Sequence, residues 1–166
     1  MLTTAQILEK MIVFSAGNIH DIDHLIRVWT YAQTIGKLEH LDEPTQYIVE
    51  VAAIVHDIAC PLCRIKYGNT NGKHQEQESE PLVRQFLEGT GLSPEQVERV
   101  VYLVAHHHTL TNIQGMDYQV LIEADYIANA TENGYSEQNR QNFSEKVMRT
   151  ASGKRLLAEV FATPAA

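Results

Sequence analysis

The sequence predicts an all-α fold, a helical bundle of about seven or eight helices in one domain spanning 1–166, on three observations. Apolar residues recur at helical spacing almost throughout the chain. No alternating strand pattern and no internal repeat interrupts them. The breaks between periodic stretches carry the Pro, Gly, Ser and Asn that start and stop helices. The 166 residues are enough for one domain with a proper core.

The elements follow in order. Residues 3–14, TTAQILEKMIVF, form an amphipathic first helix, and Glu9 and Lys10 within its apolar stretch argue against a signal peptide. The second helix, 23–39, places Leu25, Val28, Trp29, Ala32 and Ile35 on one face, with Asp21 or Asp23 as its cap. Pro44 suits the first turn of a third helix running to about 58. Residues 60–73, CPLCRIKYGNTNGK, read as a loop because of their Pro, Gly and Asn content. A fourth helix covers 75–88 and stops near Gly89 and Gly91. Ser93-Pro94-Glu95-Gln96 combines a serine cap, a first-position proline and a glutamine three residues on. It opens a fifth helix with Val97, Val100, Val101 and Val104 on one stripe. A sixth, 117–132, ends near Asn133-Gly134, and helices 136–150 and 153–162 finish the chain. Phe143, Val147, Leu156, Leu157, Val160 and Phe161 in these last two either cover the core or pair two subunits as a homodimer.

Thirteen Lys and Arg against 21 Asp and Glu give a net charge of −8, which argues against a broad nucleic-acid-binding surface. A small anionic substrate remains compatible with that charge where a metal ion supplies local positive charge. No apolar run approaches the length of a membrane span. Cys60 and Cys63 are too few for a disulfide framework and lack a second ligand pair for a structural zinc. They are expected to be ordinary reduced cysteines of a cytoplasmic protein.

Chemistry concentrates where charge meets covered helix faces. Val51 to Val55 is apolar on every side, so that segment is expected to be buried all round. His56 and Asp57 follow it directly, and a carboxylate there is costly unless paired or bound to a metal. The end of a helix also favours a cation through its partial negative charge. Asp125 falls on the inward stripe of Leu121, Ala124 and Ala128, as a ligand or as half of a buried salt bridge. Glu123 points the other way and is expected to be solvated. The valine stripe of the fifth helix, extended, reaches His108, with His107 on its flank and His106 opposite. His20 and His24 lie four apart at the start of the second helix, His24 at the edge of its apolar stripe. Imidazoles and carboxylates without thiolates suit Mn, Fe, Co, Ni, Zn or Mg. Such a divalent ion polarises a phosphoryl oxygen and lowers the pKa of a water it binds.

His24 followed by Arg27-Val28, His56-Asp57 after an apolar helix, and Asp125 within ADYI together resemble the HD superfamily of all-helical, metal-dependent phosphohydrolases. The resemblance covers about residues 19–130, with helices 136–162 packing on that core. KYGNTNGKHQE and HHHTLTNIQGMDYQVLIEADYIANATE look like a small bacterial subgroup of short, stand-alone members. The resemblance implies His24, His56, Asp57 and Asp125 as ligands of one divalent ion. In two-metal members Asp57's counterpart bridges, and His74, His107 and His108 are the residues here for a second ion. One departure is HDIA in place of the family's frequent HDIG, which leaves the turn at Ala59 open.

The implied reaction is hydrolysis of a small phosphoester, nucleotides among the candidates, by a metal-activated water. Asp57 is then catalytic through the metal. His20, His107 or Glu76 handles protons. Arg27, one turn after His24, meets a phosphate or forms a structural ion pair. Lys66 and Lys73 flank a Gly/Asn-rich segment that would close over a substrate, or are plain surface lysines. Two other readings stand beside this one: a di-iron oxygenase of the same fold, and a non-catalytic, nucleotide-sensing metal-binding module.

Overall fold

The structure is a computed structural model and describes residues 1–163. Among these it has nine α-helices and no strand. They are α1 (Thr4–Phe14), α2 (Ile19–Leu38), α3 (Glu43–Val55), α4 (Cys60–Tyr67), α5 (Gly72–Leu87), α6 (Pro94–His106), α7 (Met116–Glu132), α8 (Glu137–Lys146) and α9 (Ala151–Val160). α2, α3 and α7 pack mutually at the centre. α6 lies against α3 and carries α5 on its other side; α1 covers α3. Val28, Ala32, Ile35, Val51–Val55, Val100, Val104, Leu121, Ala124 and Ala128 are all closed to solvent in this centre.

The start signals act largely as the sequence implies. Ser93 and Gln96 form a reciprocal capping box at α6, and Thr3 and Gln6 do the same at α1. α2 differs. It starts at Ile19 because Asn18 caps it, its side-chain oxygen accepting the Asp21 N–H at 3.2 Å. Neither Asp21 nor Asp23 is therefore the cap, and the apolar stripe begins one turn after the helix does. Asp21 instead takes both guanidinium nitrogens of Arg64, at 2.6 and 2.7 Å.

The expected loop over 60–73 is mostly helix. Pro61 sits in the first turn of α4, where its missing N–H costs nothing. Gly68, at φ 68°, closes that helix in the left-handed conformation, its N–H donating to the Arg64 carbonyl at 3.0 Å. Asn71 then caps α5, which begins at Gly72. The bundle thus has nine helices among the described residues where the sequence suggested seven or eight.

A second correction concerns Glu123, expected to be solvated. It is fully buried. α9 packs on α7 in addition to α2 and α3, and it covers the position of Glu123. The Glu123 carboxylate accepts the Arg149 N–H at 2.6 Å, the Thr150 N–H at 3.0 Å and the Gln119 side-chain amide at 2.7 Å. The Thr150 hydroxyl donates to it as well. This one anion satisfies the backbone that turns from α8 into α9, and the helix expected over 136–150 ends at Lys146. Leu157 is buried, and Phe143, Val147, Leu156 and Phe161 pack against the core. Val160 is exposed. α8 itself buries none of its residues.

Replacing Glu123 with Ala strands these donors, so it is expected to destabilise the protein by about 2–4 kcal/mol. Urea unfolding of the two proteins, compared at equal m-value, checks this. A change under about 0.5 kcal/mol would show that water replaces the carboxylate at no cost.

Candidate metal centre

Four elements end or pass at one point. His24 lies in the second turn of α2. α3 finishes at Val55, and His56 to Ala59 make the turn into α4. Ala59 has φ −81° and ψ −12°, an ordinary right-handed conformation, so no glycine is needed where the family often has one. His107 follows the last residue of α6, and Asp125 projects from the middle of α7.

The side chains converge closely. His24 Nε2 lies 3.2 Å from His56 Nε2, 3.5 Å from Asp57 Oδ2 and 3.3 Å from Asp125 Oδ1. His56 Nε2 lies 3.6 Å from Asp57 Oδ2 and 3.5 Å from Asp125 Oδ1. The other Asp57 oxygen is 3.5 Å from His107 Nε2. Ligand bonds of about 2.0–2.2 Å at right-angle to tetrahedral geometry separate donor atoms by roughly 3–3.5 Å. These spacings are therefore compatible with a set that could hold one cation.

The hydrogen bonds on the outer side of each ring carry the decisive constraint. His24 Nδ1 faces Glu132 Oε2 at 2.9 Å, His56 Nδ1 faces the Ala53 carbonyl at 2.8 Å, and His107 Nδ1 faces the Val104 carbonyl at 2.7 Å. Each Nδ1–H donates to its oxygen, so each Nε2 presents a lone pair to the centre. His107 Nε2 is buried and has no hydrogen-bond partner. Three lone pairs and two carboxylates thus meet with no donor among them, an arrangement that demands a proton or a cation.

The titration behaviour agrees. Burial opposes a charge on His24, but Asp125, Asp57 and Glu132 outweigh it and raise its pKa to about 9. Burial likewise opposes the Asp57 and Asp125 charges. The imidazoles around them hold both carboxyls below the usual carboxylate range. His107 is raised, burial being outweighed by Asp57. His108 is pushed down to about 4 by burial and by His107 beside it. It stands at the mouth of the site, open to solvent yet walled by protein, and stays neutral at neutral pH. Cys60 lines the site too, and burial and the Asp57 charge push its thiol far up.

Two donor groups share Asp57: His24, His56 and Asp57, and then Asp57, His107 and His108. Asp125 joins the first through the distances above. His74 is in neither group. It stacks on Tyr67 at 3.9 Å and lies 3.2 Å from the Asn69 side-chain oxygen. Lys66 pairs with Glu78 at 2.5 Å, and Lys73 is exposed at the start of α5; neither lines the site. Arg27 pairs with Glu132 at 3.7 Å, the structural alternative. Glu76 accepts the Thr109 hydroxyl at 2.9 Å. His20 lines the site at its rim but is exposed and approaches only Asp21, at 3.6 Å.

Three residues at the centre escaped the sequence reading. Glu132 orients His24, Asn129 donates to Asp125 Oδ1 at 2.7 Å, and Arg64 reaches the site through Asp21. The signal for the first two was present: 125, 129 and 132 are i, i+4 and i+7 on one stripe of α7. Two cavities open onto the centre and share His108, Asp125 and Asn129. One, about 530 Å³, lies between α7 and α8; the other, about 310 Å³, is lined from α2, α4 and α7.

Comparison with known proteins gives a consistent result. The family model described as HD domain matches residues 21–151. No curated protein matches the chain. The fold is similar to that of a predicted HD superfamily hydrolase from an uncultured Thermotogales bacterium. There the identity is 20%, the match covers 93% of this chain and 83% of that one, and the TM-score is 0.69. It is also similar to the Lin1889 protein from Listeria innocua, at 17% identity, covering 95% and 88%, with a TM-score of 0.59.

Two outcomes are expected. Glu132→Gln keeps the shape but weakens the acceptor behind His24, so affinity for Mn²⁺ by calorimetry should fall about 10- to 100-fold. Unchanged affinity would mean that Glu132 does not orient the ligand. Separately, His24 holds a proton below about 9, and a metal must displace it. Apparent metal affinity should therefore rise by about tenfold per pH unit up to about 9 and level off above. A pH-independent affinity would contradict this.

Proposed function

The chain belongs to the HD-domain family, and on that premise we propose that it is a metal-dependent phosphohydrolase of a small phosphoester. The observation that carries this reading is the inward convergence of three Nε2 lone pairs with two carboxylates, every Nδ1–H being committed outward. His24, His56, Asp57 and Asp125 would hold one divalent ion, of the class Mn, Fe, Co, Ni, Zn or Mg. Asp57, with His107 and His108, offers a second group, so one or two ions per chain are compatible with the donors.

A divalent ion supplies, when bound, charge stabilisation at the phosphoryl oxygens and an acidified water. The protein's own contribution is orientation. Glu132, with Arg27 behind it, fixes the His24 ring; Asn129 fixes the Asp125 carboxylate; the Ala53 and Val104 carbonyls fix His56 and His107. The two Asp57 oxygens face different donor groups, which suits a carboxylate between two ions. His107 is wholly enclosed and bonded on its outer nitrogen, so it serves better as a ligand than as a proton carrier. His20 stands exposed at the rim of the smaller cavity.

The test joins elemental analysis to a phosphoester screen on the wild type, Asp57→Ala and Asp125→Ala. About one or two transition-metal ions per chain are expected, lost in both variants together with turnover. A folded, metal-free Asp57→Ala protein with full activity would sink the proposal. An iron-rich wild type with a visible absorption band and no phosphoester turnover would put oxygen chemistry in its place.

A further inference from the structure

His108 differs from the other rings of the donor cluster. His24, His56 and His107 are each turned by an acceptor on Nδ1. Neither ring nitrogen of His108 makes a hydrogen bond among the described residues, yet one of them lies within 4.8 Å of the donor atoms of Asp57 and His107. Something other than a hydrogen bond must aim this ring. The His107 ring lies against it, 3.9 Å between centroids and 42° between planes. Gly72, the first residue of α5, stands against it as well. A Cβ on Gly72 would lie 2.6 Å from His108 Cγ, 2.8 Å from Cδ2 and 3.0 Å from Cβ. Gly72 is not among the glycines with positive φ, so its backbone would accept any L-residue, and alanine is the better helix former. The His108 ring, and not the turn, therefore requires the glycine.

Both backbones are held. Asn71 caps α5 by accepting the Lys73 N–H at 3.0 Å, and the Gln75 side-chain amide donates to the Thr70 carbonyl at 3.0 Å. The Tyr118 hydroxyl reaches the His106 and Thr109 carbonyls at 2.7 and 2.6 Å, and Glu76 of α5 accepts the Thr109 hydroxyl at 2.9 Å. A side chain at 72 would therefore move the ring before it moved either chain segment. Carbon atoms in contact stand about 3.5–4.0 Å apart, so the ring would have to retreat by about 1 Å. The His107 ring stands in the way, which leaves rotation about the His108 Cα–Cβ bond into another staggered position. Ligand distances tolerate a change of only about 0.2 Å. We propose that Gly72 is a positioning residue for the donor cluster: its missing side chain seats the His108 ring, and the seat aims that ring at the group it shares with Asp57 and His107. This rests on the metal-dependent reading above. The segment around His74 then serves the cluster through its glycine and not through its imidazole.

Calorimetric titration of the metal-free protein with Mn²⁺ tests this on the wild type, Gly72→Ala, His108→Ala and the double variant. The wild type is expected to bind two ions per chain. Gly72→Ala and His108→Ala should each keep one ion and weaken the other about tenfold or more. The double variant should bind as His108→Ala does, because without the ring there is nothing to displace. The thermal midpoint of metal-free Gly72→Ala should stay within about 3 °C of the wild type or rise. Two ions bound with unchanged affinity in either single variant overturn the seat. So does a larger fall in the midpoint, or a loss in the double variant beyond that of His108→Ala, either of which would report a general distortion of α5. A single ion in the wild type also overturns it and leaves the one-ion reading standing. No ion in the wild type overturns the metal-dependent reading, and the seat falls with it.

Discussion

Three imidazole lone pairs and two carboxylates pressed within a few ångströms of each other repel unless a positive charge lies among them. Apolar side chains on α2, α3, α6 and α7 surround that cluster and keep the local dielectric low, which raises the stakes in both directions. Satisfied, the cluster ties four helices together. Unsatisfied, it pushes them apart. The donors come from positions 24, 56, 57, 107 and 125, so no local segment can assemble the centre. Correct packing of the bundle is a precondition for the site, and the ion that the donors suit would in turn stabilise the packing.

The orienting groups extend this logic outward. Two of the three rings are held by backbone carbonyls one turn back on their own helices, Ala53 for His56 and Val104 for His107. Those restraints come with the helix and need no further residue. His24 faces away from its own backbone and is held instead by Glu132 at the far end of α7. The α2–α7 contact thus does two things at once: it buries apolar surface and it sets the tautomer of a ring.

What could be read in the sequence follows from this division. His56, Asp57 and Asp125 were legible because they sit in covered or inward-facing helix segments; His24 lay only at the edge of its stripe and His107 on the flank of its own, and the family resemblance joined them into one set. The helices were legible from the same apolar periodicity, and Ser93 and Gln96 marked the start of α6 outright. Glu132 was overlooked although it shares the Asp125 stripe, because a glutamate in the last turn of a helix normally lies in water. Glu123 was misread because α7's own period says nothing of α9, which arrives from nearly thirty residues on. α4 was taken as loop because Pro61 signals a break unless the helix begins beside it. Lys66 and Lys73 were placed near the site because they are near it in sequence, and His74 because the family resemblance implied a histidine there. In space α4 and α5 bind each other, through Lys66 to Glu78 and Tyr67 to His74, and these side chains do not line the smaller cavity.

α8 contributes no buried residue, yet it walls the larger of the two cavities at the donor cluster. Its sequence is therefore under light constraint from stability, whereas α2, α3 and α7 are under heavy constraint. The fold thus separates the helices that build and support the donor cluster from the one that walls the adjoining cavity, so changes to the cavity wall need not disturb the cluster.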